Sequence, residues 1–387
     1  MPSQHSRLFP PSAANRWLNC PGSVLATKDL PDTTSPYAEE GTLAHELAEI
    51  KVKLEFGQIG TYEYGKRHEK ISAHRLYQKE MEEHTDRYLD QIREYINALS
   101  DPDPMVMVEQ RVDMTKWAEG SFGTADCLIA FDGGLAVFDF KYGKGVPVDA
   151  ARNPQLMMYG LGAYNLVRYL YRVDFVDLNI VQPRLGRYSM YHVDIGELLE
   201  WGDAVEHKAK AALSGAADTY AGDWCRFCKL KAACRTRAES AIEAVEDFRE
   251  IAASVDQLDL ITLGGLLDKG KELDAWVRDA EEYALAQALQ GEKIGGHKLV
   301  AGRGKRTWSD EDSALKALIA AGIEKSDLYK TEPYTLAQIE KKLGKKAFGD
   351  TVGDFVVKAP GKPTLVKDTD PRPEWKPISA EEDFKEV

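Results

Sequence analysis

The sequence predicts an α/β fold, and three observations carry that reading. Residues 123–141, GTADCLIAFDGGLAVFDFK, set two short apolar runs (124–131 and 135–141) around Asp132-Gly133-Gly134, the pattern of a tight β-hairpin. Further strand-like stretches lie at 105–114 (MVMVEQRVDM), 174–182 (DFVDLNIVQ) and 188–194 (YSMYHVD). Helical patterns run between and around them, among them LAHELAEIKVKLEF, closed by Gly57, and the long amphipathic stretch 74–99.

The hairpin organises the rest. With Gly133-Gly134 as its two-residue loop, Asp132 faces Leu135 and Asp126 faces Lys141. Side chains two apart on a strand share a face, so Asp126, Asp139 and Lys141 project together. Two carboxylates and an ammonium among Val, Ile, Leu and Phe are costly to bury unpaired. A divalent cation held between the carboxylates relieves that cost, since hard cations take oxygen ligands. A surface hairpin with an ordinary Asp–Lys pair satisfies the same residues.

Composition bounds the alternatives. At 387 residues, 43% hydrophobic and 29% charged, the chain is long enough for two or three globular domains. No apolar run is long enough to span a bilayer, so no membrane association is expected. The opening residues MPSQHSRLFPPSAANRW lack a signal-peptide pattern, which gives an expected location in the cytoplasm. A net charge of −13 argues against a protein that coats nucleic acid nonspecifically, although a basic groove remains compatible with it.

Taken in order, 12–19 (SAANRWLN) reads as a short helix with Ser12 as N-cap, stopped at Cys20-Pro21. Glu40-Gly41-Thr42 leads into the next helix, where His45 and Glu49 share a face. In 74–99, Leu76, Met81, Tyr88, Ile92 and Ile96 point inward. Glu109, in the strand before the hairpin, reads as a solvated residue in preference to a site residue. Asn153-Pro154 opens a helix, as N-cap and first helical residue, on which Gln155 and Tyr159 are neighbours. Tyr159 reads either as core or, with Gln155, as a contact for substrate. A helix over about 196–213 follows the last strand. Beyond 240 the chain is helical to about 290, with Leu273, Trp276, Val277, Ala280, Tyr283, Ala284 and Ala288 in one apolar stripe and Gly291 just past its end. After 291 come a short strand (HKLVAG), a basic patch Arg303-Lys305-Arg306, and helices near 312–320 and 335–346, the second opened by a Thr335–Gln338 capping box.

Five cysteines stand at 20, 127, 225, 228 and 234. Cys127 neighbours Asp126 on a strand, so it points to the opposite face and reads as a buried small apolar residue. Cys225-x₂-Cys228-x₅-Cys234 with Cys20 makes four thiolates, the number required by zinc or by a [4Fe–4S] cluster; spacing does not choose between them.

These motifs, in this order, resemble the RecB-type branch of the PD-(D/E)XK nuclease superfamily. They are Gly41-Thr42-Leu43-Ala44-His45, Gly123-Thr124-Ala125-Asp126, Asp139-Phe140-Lys141, Gln155 with Tyr159, and the split cysteine set, which resembles the iron–sulfur staple of Cas4-like and AddB-like nucleases. The resemblance extends to RecB-like phage and prophage proteins whose chains run well past the cysteines. Asp139 stands where many relatives carry Glu, and Ala125 where others carry Pro; neither change removes a functional group.

The resemblance implies a restriction-endonuclease-like core, a central mixed sheet flanked by helices, over residues 1–240 with the cysteine cluster included. A helical segment (241–290), a small α+β domain (291–358) and an extended tail (359–387) would follow. It implies a Mg²⁺- or Mn²⁺-dependent deoxyribonuclease, an exonuclease in preference to an endonuclease, acting on linear phage DNA in replication or recombination within the bacterial cytoplasm. Phage recombination or single-strand-binding proteins are the implied partners. His45, Asp126, Asp139 and the Phe140 carbonyl would hold the metal, and the imidazole tilts the choice toward Mn²⁺. Lys141 would orient the attacking water, and Gln155 and Tyr159 would position the strand. Lys144 and Arg152 would contact the backbone. Cys20, Cys225, Cys228 and Cys234 would hold a [4Fe–4S] cluster, with zinc as the alternative. The competing reading is a DNA-end-binding or scaffolding protein that keeps the fold without cutting.

Overall fold

The computed structural model describes residues 6–31, 36–254, 258–298 and 344. They run α1 (Ala14–Asn19), α2 (Ser23–Thr27), α3 (Pro36–Glu55), α4 (Thr61–Ser72), α5 (Glu80–Ala98), β1 (Met105–Asp113), β2 (Phe122–Phe131) and β3 (Gly133–Phe140). Then come α6 (Pro154–Val167), β4 (Val173–Gln182), β5 (Arg187–Asp194), α7 (Ile195–Leu213), α8 (Arg235–Ser254) and α9 (Leu260–Leu289). The chain divides into units 1–300 and 301–387, and α8 and α9 lie in the first. Nearly all of the expected features after 291, namely the short strand, basic patch, two helices and tail, lie outside the described residues.

The strands form one five-stranded mixed sheet in chain order, antiparallel except where β3 meets β4. A parallel neighbour cannot be reached by a hairpin, and α6 supplies the crossover. Alternation along the strands then builds two cores. Leu128, Ala130, Leu135, Val137, Val176 and Leu178 face α6 and α7, with Trp17 of α1 in the same cluster. Ile129, Ala136, Phe138 and Phe140 face α3 and α5, where Leu47, Ile50, Met81, Tyr88 and Ile92 are buried. Cys127 is fully buried in this second core, as its strand position predicts.

The hairpin loop is one residue earlier than expected. Phe131 pairs with Gly134 and Cys127 with Phe138, so the loop is Asp132-Gly133, and Gly133 carries the positive φ of +91°. Gly134 is a strand residue because its Cα lies under aromatic rings: a Cβ there would stand 2.5 Å from Phe131 and 2.8 Å from Phe175. The change moves the register by two residues, which preserves the face of every side chain but puts Asp126 opposite Asp139 instead of Lys141.

Three helix starts also differ. A 3-10 turn, Pro11–Ala13, precedes α1, and Ser12 makes no capping hydrogen bond. The helix carrying His45 begins at Pro36, earlier than Thr42. Residues 73–79 form a turn before α5, so Leu76 packs from that turn. α4 has no counterpart in the sequence reading, because only Ile71 is buried along it and no apolar stripe exists to be read. The caps that were legible hold: Asn153 Oδ1 accepts from the N–H groups of Gln155 and Leu156, and Gly57 and Gly291 follow their helices with positive φ.

Candidate metal centre and cysteine cavity

Asp126 is the fifth residue of β2 and Asp139 the last but one of β3, and the hairpin register sets the two carboxylates opposite each other. α3 brings His45 to them from one face, and α6 brings Gln155 from the other. The Asp126 carboxylate accepts a hydrogen bond from the Phe140 N–H at 2.7 Å and lies 3.3 Å from His45 Nδ1. Lys141 Nζ donates to Asp139 Oδ1 (3.2 Å) and to Gln155 Oε1 (3.0 Å), and Gln155 Nε2 donates to the same Asp139 oxygen (3.2 Å). His45, Asp126, Asp139, Lys141 and Gln155 are therefore one connected group.

Among the described residues, the donor triad with ligand geometry is His45, Glu109 and Asp126, whose donor atoms all lie within 4.8 Å of one another. Glu109 takes the place expected for Asp139, and it is not a solvated strand residue. The flanking pairs Val108–Cys127 and Gln110–Ala125 put Glu109 opposite Asp126. Glu109 leaves the extended region there, with φ of +52°, a conformation uncommon for any residue but Gly and costly for a long side chain. Pairing of 105–114 with the hairpin was the signal that could have found it.

The electrostatics of the group favour a cation. Burial, with the charges of Asp126 and Glu49, pushes the Glu109 carboxyl up to about 7. Burial likewise raises Asp139, against the pull of Lys141. Burial works to raise Asp126 too, but the charge and hydrogen bond of His45 prevail and hold it below the usual range. His45 is the counterpart: burial works against its charge, and Asp126 raises its pKa nonetheless. Asp139 Oδ2 is buried without a hydrogen bond, with Lys141 Nζ 3.0 Å away as its ion-pair partner. Crowded carboxylates and an acceptor without a donor fit a divalent ion.

Other expected participants are placed as follows. Tyr159 is 3% exposed and belongs to the core, its ring against Gly123, so it does not present itself to solvent. Glu49, one turn past His45, is held by Lys53 (2.7 Å) and by two hydrogen bonds from Arg67. Arg152 is paired with Glu197 (2.9 Å), and Lys144 is exposed.

Cys20, Cys225, Cys228 and Cys234 line one cavity, with Arg16 and Trp224 also in its wall. Cys20 follows α1, Cys225 sits in a 3-10 turn, and Cys234 directly precedes α8. The Tyr220 N–H donates to Cys20 Sγ at 3.3 Å. The ends of the chain segment are fastened nearby: Gly22 N–H donates to Asp218 O (3.0 Å) and Lys229 Nζ to Leu30 O (2.9 Å). No three of these sulfurs come within 4.8 Å of one another, so the thiols are gathered but do not form a closed ligand set.

Among the described residues no helix is long and apolar enough to cross a membrane. The solved structure of SSO0001 is similar to this chain at 14% identity, covering 50% of this chain and 85% of that one, with a TM-score of 0.23. The family model described as "Protein of unknown function (DUF2800)" matches residues 5–373, and the chain belongs to that family.

Proposed function

We propose that the chain is a divalent-metal-dependent deoxyribonuclease that degrades linear DNA from an end. The observation that carries the reading is the connected group around Asp126: three metal donors beside a lysine that is itself held by Asp139 and Gln155. The ion would supply an activated water and neutralise charge on the phosphate. His45, Glu109 and Asp126 would hold it, with Asp139 beside them. Lys141 is fixed by two acceptors, so its ammonium reaches the attacked phosphate without reorganisation. Gln155 fixes both Lys141 and Asp139 and is a positioning residue. Tyr159 supports Gln155 from the core.

We assign an iron–sulfur cluster to the cysteine cavity within the same reading. What supports the assignment is that all four cysteines line one cavity. Its role is structural: it fastens the residues after α1 to those before α8.

Digestion from an end follows from the cost of entry. Opening interior base steps costs about 1.4 kcal/mol each, whereas an end frays unaided. Labelled linear duplex should be consumed with Mn²⁺, covalently closed circles should persist, and Lys141→Ala should reduce hydrolysis about a thousandfold. Binding of DNA ends without cleavage by the anaerobically purified protein would reject the nuclease in favour of an end-binding role.

A further inference from the structure

One side of α9 is used by α8. Leu266 is buried there, Gly270 approaches Phe248, and Asp279 takes ion pairs from Arg237 (2.7 Å) and Lys231 (2.6 Å). The flank about a quarter turn round the helix from Leu266 is open to solvent although it carries leucines: Leu263 and Leu267 are 38% and 39% exposed, Leu285 and Leu289 53% and 70%. Between these two apolar ends lie charges, with the Asp274 and Arg278 side chains two-thirds exposed.

We propose that α9 pairs antiparallel with α9 of a second copy of this chain, about a two-fold axis level with residue 276. In that register Leu263 meets Leu289 and Leu267 meets Leu285. Lys271 meets Glu281, and Asp274 meets Arg278. All eight positions lie on one helical face, separated by steps of three and four that read the same from either end. Two-fold symmetry forms every one of these pairs twice, as an isologous interface requires. A parallel pair would instead set Lys271 on Lys271 and Asp274 on Asp274. An unrelated partner gives no reason for the stripe to be complementary to its own reverse.

The contact spans about 40 Å, at 1.5 Å per residue from Leu263 to Leu289. The Asp274–Arg278 pair within one helix, at 2.8 Å, becomes part of a four-charge cluster across the axis. This inference rests on α8 and α9 alone and is independent of the nuclease reading.

Sedimentation velocity of the full chain, raised to tens of micromolar, tests it. The expected result is a concentration-dependent dimer. Leu267→Glu and Leu285→Glu should each weaken it at least tenfold, with unchanged circular dichroism. Lys271→Glu should weaken it by like-charge repulsion, and adding Glu281→Lys to that variant should restore it. A wild-type chain still monomeric at about 100 µM would overturn the proposal. So would a dimer indifferent to both leucine changes, or a charge-swapped pair that fails to recover.

Discussion

Glu109 and Asp126 meet across the β1–β2 ladder at the single residue of β1 whose φ is positive. The strand bends out of its extended geometry where a second carboxylate is brought against the first. Such strain persists only where surrounding structure enforces it, and it gathers at functional sites.

The first prediction follows directly. Glu109→Gly relieves the backbone strain and removes a buried carboxylate, so the metal-free protein should gain about 1 kcal/mol in thermal unfolding. The same variant should bind Mn²⁺ at least tenfold more weakly by calorimetry. Loss of stability with unchanged Mn²⁺ affinity would mean that Glu109 is an ordinary strand residue.

The pH dependence of the same residue has a definite sign. A carboxyl raised to about 7 in the fold holds its proton where the unfolded chain has lost it. Its destabilising effect therefore grows between about pH 4.5 and 7 and is complete above that, whereas Glu109→Gln should lack this slope. Metal binding must displace the proton, so Mn²⁺ affinity should fall as pH drops from 8 to 6 with proton release measurable in calorimetry. Equal affinity at both ends of that range would exclude Glu109 as a ligand.

The Glu49 cluster gives the opposite slope. Burial works to raise Glu49, but hydrogen bonds from Arg67 and Lys53 prevail and depress it. Its stabilising contribution is full above the unfolded carboxyl pKa and is lost as pH falls through the lower, folded value. Arg67→Ala should cost about 1–2 kcal/mol at pH 7 in urea unfolding, and the difference from wild type should shrink toward pH 3. A difference independent of pH would show that Arg67 acts through its aliphatic packing alone.

The cysteine cavity predicts colour and metal content. Protein purified without oxygen should be brown and hold about four irons and four sulfides per chain. Cys20→Ser should lose them with a fall in melting temperature, while Cys127→Ser should keep them because Cys127 lies in the other core. Stoichiometric zinc without iron would decide for a zinc site.

Gly134 tests the hairpin register. Gly134→Ala drives a methyl into the rings of Phe131 and Phe175 and should cost about 1–3 kcal/mol. Were Gly134 in the loop, alanine would meet only its backbone preference, and the loss would be smaller.

Much of this protein is determined locally and was legible in the sequence. Alternation and turn residues gave the strands and the hairpin, because a strand's period and a glycine's φ are properties of a few consecutive residues. The Asn153-Pro154 helix start and the burial of Cys127 follow from the same short-range rules. Asp126, Asp139 and Lys141 share a face in either hairpin register, since a shift of two residues leaves parity intact. Tertiary structure decided what parity cannot. Whether Asp132-Gly133 or Gly133-Gly134 turns the chain depends on the rings of Phe131 and Phe175, the second of which arrives from β4. Whether Glu109 faces water or joins His45 and Asp126 depends on β1 pairing with β2 and on α3 laying His45 over the pair. Those contacts join residues 45, 109 and 126, and no local rule connects positions so far apart in the chain.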